Sequence, residues 1–347
     1  MTTDANVPLR AGASFGVGSL PHRSVSQALD FVWKSTDIPT IPSLPRRSPA
    51  EGMIAQALVG IEGVSVGQYG GISVDVSALD VDHFITTDLS SDAYGAFAAF
   101  LETFPVRNKG AKAVKWQFVG PVTLGMALVR IGVEASIAFP LALQAVREHV
   151  SALQEEVRRA TGGLTQIIVL DEPLLDEALE LGFHIGSEEV IDLISGALAA
   201  VSRDNINGLH CCAHTNWRAM LSTGASVLSV PVPSVANNED ASELLAAASR
   251  ISDHMAHGGR IAWGAVRTDG PISVNSERSW KALMDVMCSL VNAGVDPVLL
   301  RRMSYVTPAC GLATHSDAVA EQVFAQVRNI ATKVGEQATA SRLTLGS

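Results

Sequence analysis

The sequence predicts an α/β protein built as a single (β/α)8 barrel of the TIM type. Short apolar or β-branched runs alternate with longer helical patterns along the chain. Eight such runs can be counted. The third observation is capacity: 347 residues, 47% hydrophobic and 17% charged, are enough to bury one large core. A doubly wound sheet is the alternative.

The first strand is read at 14–18 and is followed by an amphipathic helix at 25–34. The second, at 38–43, carries Pro39 and Pro42, each of which removes a ladder donor. Residues 60–78 break the rhythm: they are glycine-rich, alternate apolar with polar residues, and read as a β-hairpin excursion after the second strand. Strands at 114–119 and 166–170 flank a helix at 137–160. A helix at 188–202 leads to strands at 207–211 and 226–230, and one at 240–257 leads to the seventh strand at 260–265. A helix at 276–293, the eighth strand at 303–306 and a helix at 317–334 complete the pattern. No internal repeat or Pro/Ser-rich linker divides it, so one barrel is expected over 13–334, with a loose polar leader at 1–12 and a fraying tail at 335–347.

Composition excludes several functions. With 25 basic and 35 acidic residues the net charge is −10, and no stretch concentrates Lys and Arg, which argues against nucleic-acid binding. No apolar run reaches membrane-spanning length, and the start of the chain does not read as a signal peptide. Four cysteines, Cys211, Cys212, Cys288 and Cys310, make no disulfide scaffold at this length, so a reducing cytoplasm is the expected setting.

The chemistry lies at predicted strand ends, where barrel active sites form. His210-Cys211-Cys212 closes the fifth strand and Cys310 follows the eighth. Alternation along a strand points His210 and Cys212 one way and Cys211 the other. An imidazole and two thiolates are zinc ligands, and three of them leave a position for a substrate thiol. The competing reading is a buried strand end with small apolar thiols. Cys288 reads as helix packing.

Asp171-Glu172 ends the apolar run 167–170, where two acids are costly unless paired or solvated. Either one of them holds a substrate ammonium or a pterin-like NH group, or the pair marks the start of a following helix. Arg46 and Arg47 are candidates to clamp a carboxylate, or belong to a surface loop. His22, His214 and His315 are candidate proton donors near the rim.

Five stretches together resemble one family: Gly16-Val17-Gly18-Ser19-Leu20-Pro21, Val119-Gly120-Pro121-Val122-Thr123-Leu124, Val169-Leu170-Asp171-Glu172-Pro173, His210-Cys211-Cys212 and Thr307-Pro308-Ala309-Cys310-Gly311-Leu312. In this order, spanning roughly residues 12–335, they resemble the C-terminal catalytic barrel of cobalamin-independent methionine synthase, in the superfamily shared with uroporphyrinogen decarboxylase. The resemblance implies a TIM barrel, Zn2+ held by His210, Cys212 and Cys310, and methyl transfer to homocysteine from methyltetrahydrofolate or another methyl carrier. It also implies that Val17, Ser19 and Asp171 hold the amino acid, and the chain looks like a short, core-type member.

Three positions depart from the family pattern. Pro231 stands where the family places a glutamate ligand, with Glu239 and His214 as substitutes nearby. Ser43-Leu44-Pro45 replaces a second glutamate, and Gly125-Met126 stands where a folate-stacking tryptophan is expected. The reaction so implied needs a proton for the leaving nitrogen, with Asp171, His214 or His315 as donor. Expected partners are a small-molecule thiol and a methyl donor, with a homo-oligomer or a methyl-carrier protein as further options. The rivals are a metal-free decarboxylase-like enzyme using Arg46, Arg47 and Asp171, and a non-catalytic zinc- or carrier-binding protein.

Overall fold

Six parallel strands in sequential order carry the polar clusters: β3 (Ala113–Val119), β4 (Thr165–Asp171), β5 (Ile206–His210), β6 (Val227–Pro231), β7 (Arg260–Val266) and β8 (Ser304–Pro308). They follow a two-stranded antiparallel hairpin, β1 (Val64–Val66) and β2 (Ile72–Val74), which is the excursion expected after the second run. The computed structural model describes residues 9–344 apart from 82, 109, 181, 214, 215 and 235–237.

The expected closed eight-stranded barrel is corrected to a curled six-stranded sheet. Segments 14–18 and 38–43 are not strands; they lie between β8 and β3 and make isolated parallel bridges, Ser14 with Val306, Ser19 with Ser43 and Thr40 with Lys115. The reason is local. Pro39 and Pro42 have no N–H to donate, and Gly18 turns out of extended geometry at φ +147°. Isolated pairs of bonds span the arc instead of a continuous ladder: Ile41 N–H to the Lys115 carbonyl (2.8 Å) with Lys115 N–H to the Pro39 carbonyl (2.9 Å), and Val306 N–H to the Ala13 carbonyl (3.1 Å) with Phe15 N–H to the Val306 carbonyl (3.3 Å).

Alternation sorts the inner face into two levels. Ala113, Ile167, Val169, Val227, Ala262 and Tyr305 pack with Phe15 and Ile38 into an apolar plug. The same faces nearer the strand C-termini carry Lys115, Gln117, Asp171, His210, Ser229 and Thr307. The outer faces join the helices in the main core, where Trp116, Phe118, Leu170, Leu209 and Trp263 are buried. Parallel strands covered on both sides read as near-continuous apolar runs, which is why the sequence marked six of them.

Helices at Val25–Ser35, Ala135–Thr161, Ser187–Leu198 and Glu277–Asn292 match the expected stretches. The stretch 240–257 is two helices, Asn238–Ala246 and Ala248–Ala256. Helices Gly95–Arg107 and Pro121–Arg130 were not anticipated. The last helix, Asp317–Thr344, extends through most of the segment expected to fray, because Val334 and Ala338 bury against the fold. Of the expected leader, residues 1–8 lie outside the described residues, while the Gly12 amide bonds the Ser304 carbonyl at 2.8 Å. Among the described residues no helix is long and apolar enough to cross a membrane.

Candidate metal centre

Parallel pairing places Asp171, His210 and Ser229 abreast on β4, β5 and β6. Two residues beyond β5 comes Cys212, and two beyond β8 comes Cys310. The ligand atoms of His210, Cys212 and Cys310 all lie within 4.8 Å of one another. Cys211 points away into the main core, and burial pushes its thiol up to about 12.

The His210 ring is oriented by its own neighbour strand. Nδ1 is 3.1 Å from the Ser229 carbonyl and 3.0 Å from the Ser229 hydroxyl. A carbonyl only accepts, so Nδ1 carries a proton, and in the neutral ring the lone pair is then on Nε2. That Nε2 is buried with no hydrogen-bond partner. A ring fixed through one nitrogen and bare at the other is the arrangement of a metal-ligating histidine. Cys212 and Cys310 lie against each other; that contact, with the His210 ring beside it, holds the Cys310 thiol below its usual range, and it raises the Cys212 thiol. Soft sulfur and imidazole donors suit zinc. The residues present therefore fit the ion. Among the described residues no fourth His, Cys, Asp or Glu joins the group. Pro231 lines the adjoining cleft, Glu239 is exposed, and His214 lies outside the described residues.

The two acids of Asp171-Glu172 do different things. Asp171 faces the inner side, with Oδ1 buried and unpartnered; burial pushes its carboxyl up to about 6, against the pull of His210 and Lys115. Glu172 turns outward and takes the start of helix Pro121–Arg130. Its carboxylate accepts from the Val122 and Thr123 amides, both at 2.8 Å, and from the Thr123 hydroxyl at 2.6 Å. Those are the orphan donors of a helix N-terminus. Burial pushes Glu172 up to about 7, which these three bonds oppose. Gly120 is required there, since a Cβ would stand 2.1 Å from Glu172 Oε1.

Lys115, which the sequence reading passed over, is fully buried on the inner face. Its Nζ donates to the Val17 carbonyl and, at 3.1 Å, to Gln117 Oε1. Burial lowers it to about 8, with the Asp171 charge opposing. A lysine and a glutamine two apart in an apolar strand were the available signal, because both share the face of Ala113.

Val17 and Ser19 line a narrow apolar pocket with Phe31, Phe324, Cys310 and Gly311. Ser19 sits over Gly311, where a Cβ would come within 2.1 Å of its hydroxyl. On the other side of Cys310 an open cleft of about 580 Å3 is lined by Cys212, Trp217, Pro231, Arg267 and His315. Cys310 thus borders both spaces.

The arginines are engaged within the fold. Arg47 pairs with Glu51 and with Asp92 at 2.8 Å, and Arg46 donates to the His315 carbonyl at 2.6 Å. Glu51, also unforeseen, is fully buried and accepts from the Leu44 amide at 2.6 Å and the Ala96 amide at 3.2 Å. It organises the loop at Ser43-Leu44-Pro45. His22 is buried against Phe31 rather than open at the rim, and that burial lowers its pKa.

No protein-family model matches the chain, and no curated protein matches it in sequence. Solved structures do match. A methyltransferase from Methanosarcina mazei superposes with a TM-score of 0.58 at 13% identity, over 93% of this chain and 94% of that one. A candidate vitamin-B12-independent methionine synthase from Listeria monocytogenes superposes at 0.51, also at 13% identity, over 81% and 77%. The chain shares their fold.

Proposed function

We propose that the chain is a zinc-dependent methyltransferase that moves a methyl group onto a thiol, with homocysteine the leading acceptor. The observation that carries this is the convergence of His210 Nε2, held bare by Ser229, with the sulfurs of Cys212 and Cys310. The shared fold supports it, since both neighbours are described as methyl-transfer proteins. Zinc bound there would supply a Lewis acid that keeps an incoming thiol ionised at neutral pH.

The chain's own residues supply the rest. Cys212 and Cys310 each lose their proton to serve as ligands, and His210 is already in the tautomer required. Asp171, buried with a free oxygen, is placed to accept from a substrate ammonium, and Val17 and Ser19 bound the pocket beside Cys310. His315, on the open cleft, is the described candidate for protonating the leaving nitrogen of the donor. That cleft admits either a small methyl donor, such as a methylated folate, or the methylated group of a carrier protein. Arg46 and Arg47, on which a decarboxylase-like reading rests, bond to groups of the fold itself, so nothing favours that reading.

The test is methionine formation from homocysteine with a panel of methyl donors, alongside metal analysis. About one zinc per chain, lost in Cys212→Ser and Cys310→Ser together with activity, is the expected result. Zinc without turnover on any donor makes the chain a binding protein. Turnover without zinc ends the proposal.

A further inference from the structure

A second cleft, of about 640 Å3, opens at the opposite end of the sheet, where β5, β6 and β7 begin. Arg203, Arg250 and Arg260 line it, with His257 beside them, and Asp253 is the one carboxylate among the lining residues. Three guanidinium groups against one carboxylate leave a local charge of +2 in a chain whose net charge is −10. Among the described residues no carboxylate pairs with any of the three arginines, whereas Arg107 and Arg130 each have one and Arg47 has two.

Two of these arginines are held in place by neutral acceptors. Arg250 donates to the Arg218 carbonyl at 3.1 Å and to the Ser222 hydroxyl at 3.0 Å. Arg260 donates to the Arg302 carbonyl at 3.2 Å and lies 5.1 Å from the centre of the Tyr305 ring. Such bonds fix the guanidinium without cancelling its charge, and they use only one or two of its five N–H donors. His257 is held likewise, Nδ1 donating to the Asp253 carbonyl at 2.7 Å, so its Nε2 is left over. A turn through Gly258, at φ +92°, brings the start of β7 back beside helix Ala248–Ala256.

We infer that this cleft binds an organic phosphate, its phosphate group lying among Arg203, Arg250 and Arg260. A phosphate monoester carries close to two negative charges at neutral pH, which matches the local charge. Planar guanidinium forks suit its oxygens. The volume is that of a small-molecule site and exceeds what a free phosphate ion fills. The site is independent of the methyl-transfer reading, because it lies at the other end of the strands.

Calorimetric titration of the whole chain with phenyl phosphate, inorganic phosphate and benzoate tests it. Phenyl phosphate should saturate a single site, with inorganic phosphate weaker and benzoate weakest. Arg203→Ala and Arg250→Ala, both at exposed side chains, should each weaken phenyl phosphate roughly tenfold. Arg278→Ala, an exposed arginine elsewhere, and Cys212→Ser should bind as wild type. Absence of saturation in the millimolar range, equal losses in all three arginine variants, or loss in Cys212→Ser would overturn the assignment. Inorganic phosphate binding as tightly as the ester would also overturn it, since the site would then take the free ion.

Discussion

His210 and Ser229, partners across β5 and β6, are joined twice: imidazole Nδ1 meets both the carbonyl and the hydroxyl of Ser229. The carbonyl bond is main chain, so it survives any change of side chain at 229. This separates two contributions to metal affinity. Ser229→Ala loses only the hydroxyl and should weaken zinc by less than roughly tenfold, below the span found when a ligand's only supporting partner is removed. Cys310→Ser loses a thiolate and should weaken it by more than roughly a hundredfold. Competition with a chromogenic chelator measures both, and equal losses would mean that the Ser229 carbonyl does not hold the ring.

How much of this was legible in the sequence follows from what each residue depends on. Cys212 and Cys310 were legible because cysteine is rare in this chain and each stands just past an expected strand, 207–211 and 303–306. Strand alternation was enough to separate Cys212 from Cys211. The missing second strand was foreshadowed by Pro39 and Pro42, against the β-branched Ile38, Thr40 and Ile41, whereas nothing in 14–18 foreshadowed the loss of the first. Glu172 was ambiguous because its partners, Val122 and Thr123, are some fifty residues earlier, and only β3–β4 pairing brings them together. Glu51 and Lys115 were overlooked for a related reason. Each is a charge whose burial is set by distant segments; at Lys115 the local pattern offered only its place with Gln117 on the face of Ala113, and at Glu51 it offered nothing.

Lys115 and Asp171 are both fully buried and each shifts the other's charge equilibrium. Losing Lys115 leaves Asp171 with the pull of His210 alone and takes the donor from the Val17 carbonyl and Gln117 Oε1, and an unsatisfied buried group costs about 1–3 kcal/mol. Lys115→Met should therefore lower unfolding free energy by about 2 kcal/mol. Adding Asp171→Asn should return at least about 1 kcal/mol of that loss. Urea unfolding of the two single variants and the double variant gives the coupling. Simple additivity would show that the two charges do not sense each other.

Gly120 and Glu172 make a steric prediction. A Cβ at 120 would stand 2.1 Å from Glu172 Oε1 and 2.4 Å from its carboxyl carbon. Gly120→Ala must push the carboxylate off the start of helix Pro121–Arg130 and leave two buried amides without an acceptor. At about 1–3 kcal/mol for an unsatisfied buried group, the cost should be about 2 kcal/mol or more. In a Glu172→Ala background the same substitution should cost less than half as much, since nothing remains to be displaced. Thermal or urea unfolding of the four proteins measures it.

His149 supplies a pH prediction away from the metal. It is fully buried on helix Ala135–Thr161, with Nδ1 2.8 Å from the Thr87 hydroxyl and its ring against Phe118 and Tyr94. Burial lowers its pKa from 6.5 to about 4. Between those values the unfolded chain binds a proton that the folded chain refuses, so stability falls as the pH falls from 6.5 towards 4 and is unaffected above. The slope from this residue should be about 1.4 kcal/mol per pH unit across that window. His149→Phe keeps the volume and removes the proton, so its urea-unfolding free energy should fall less steeply than wild type by that amount. Parallel curves for the two proteins between pH 4 and 6.5 would mean that the imidazole is protonated inside the fold.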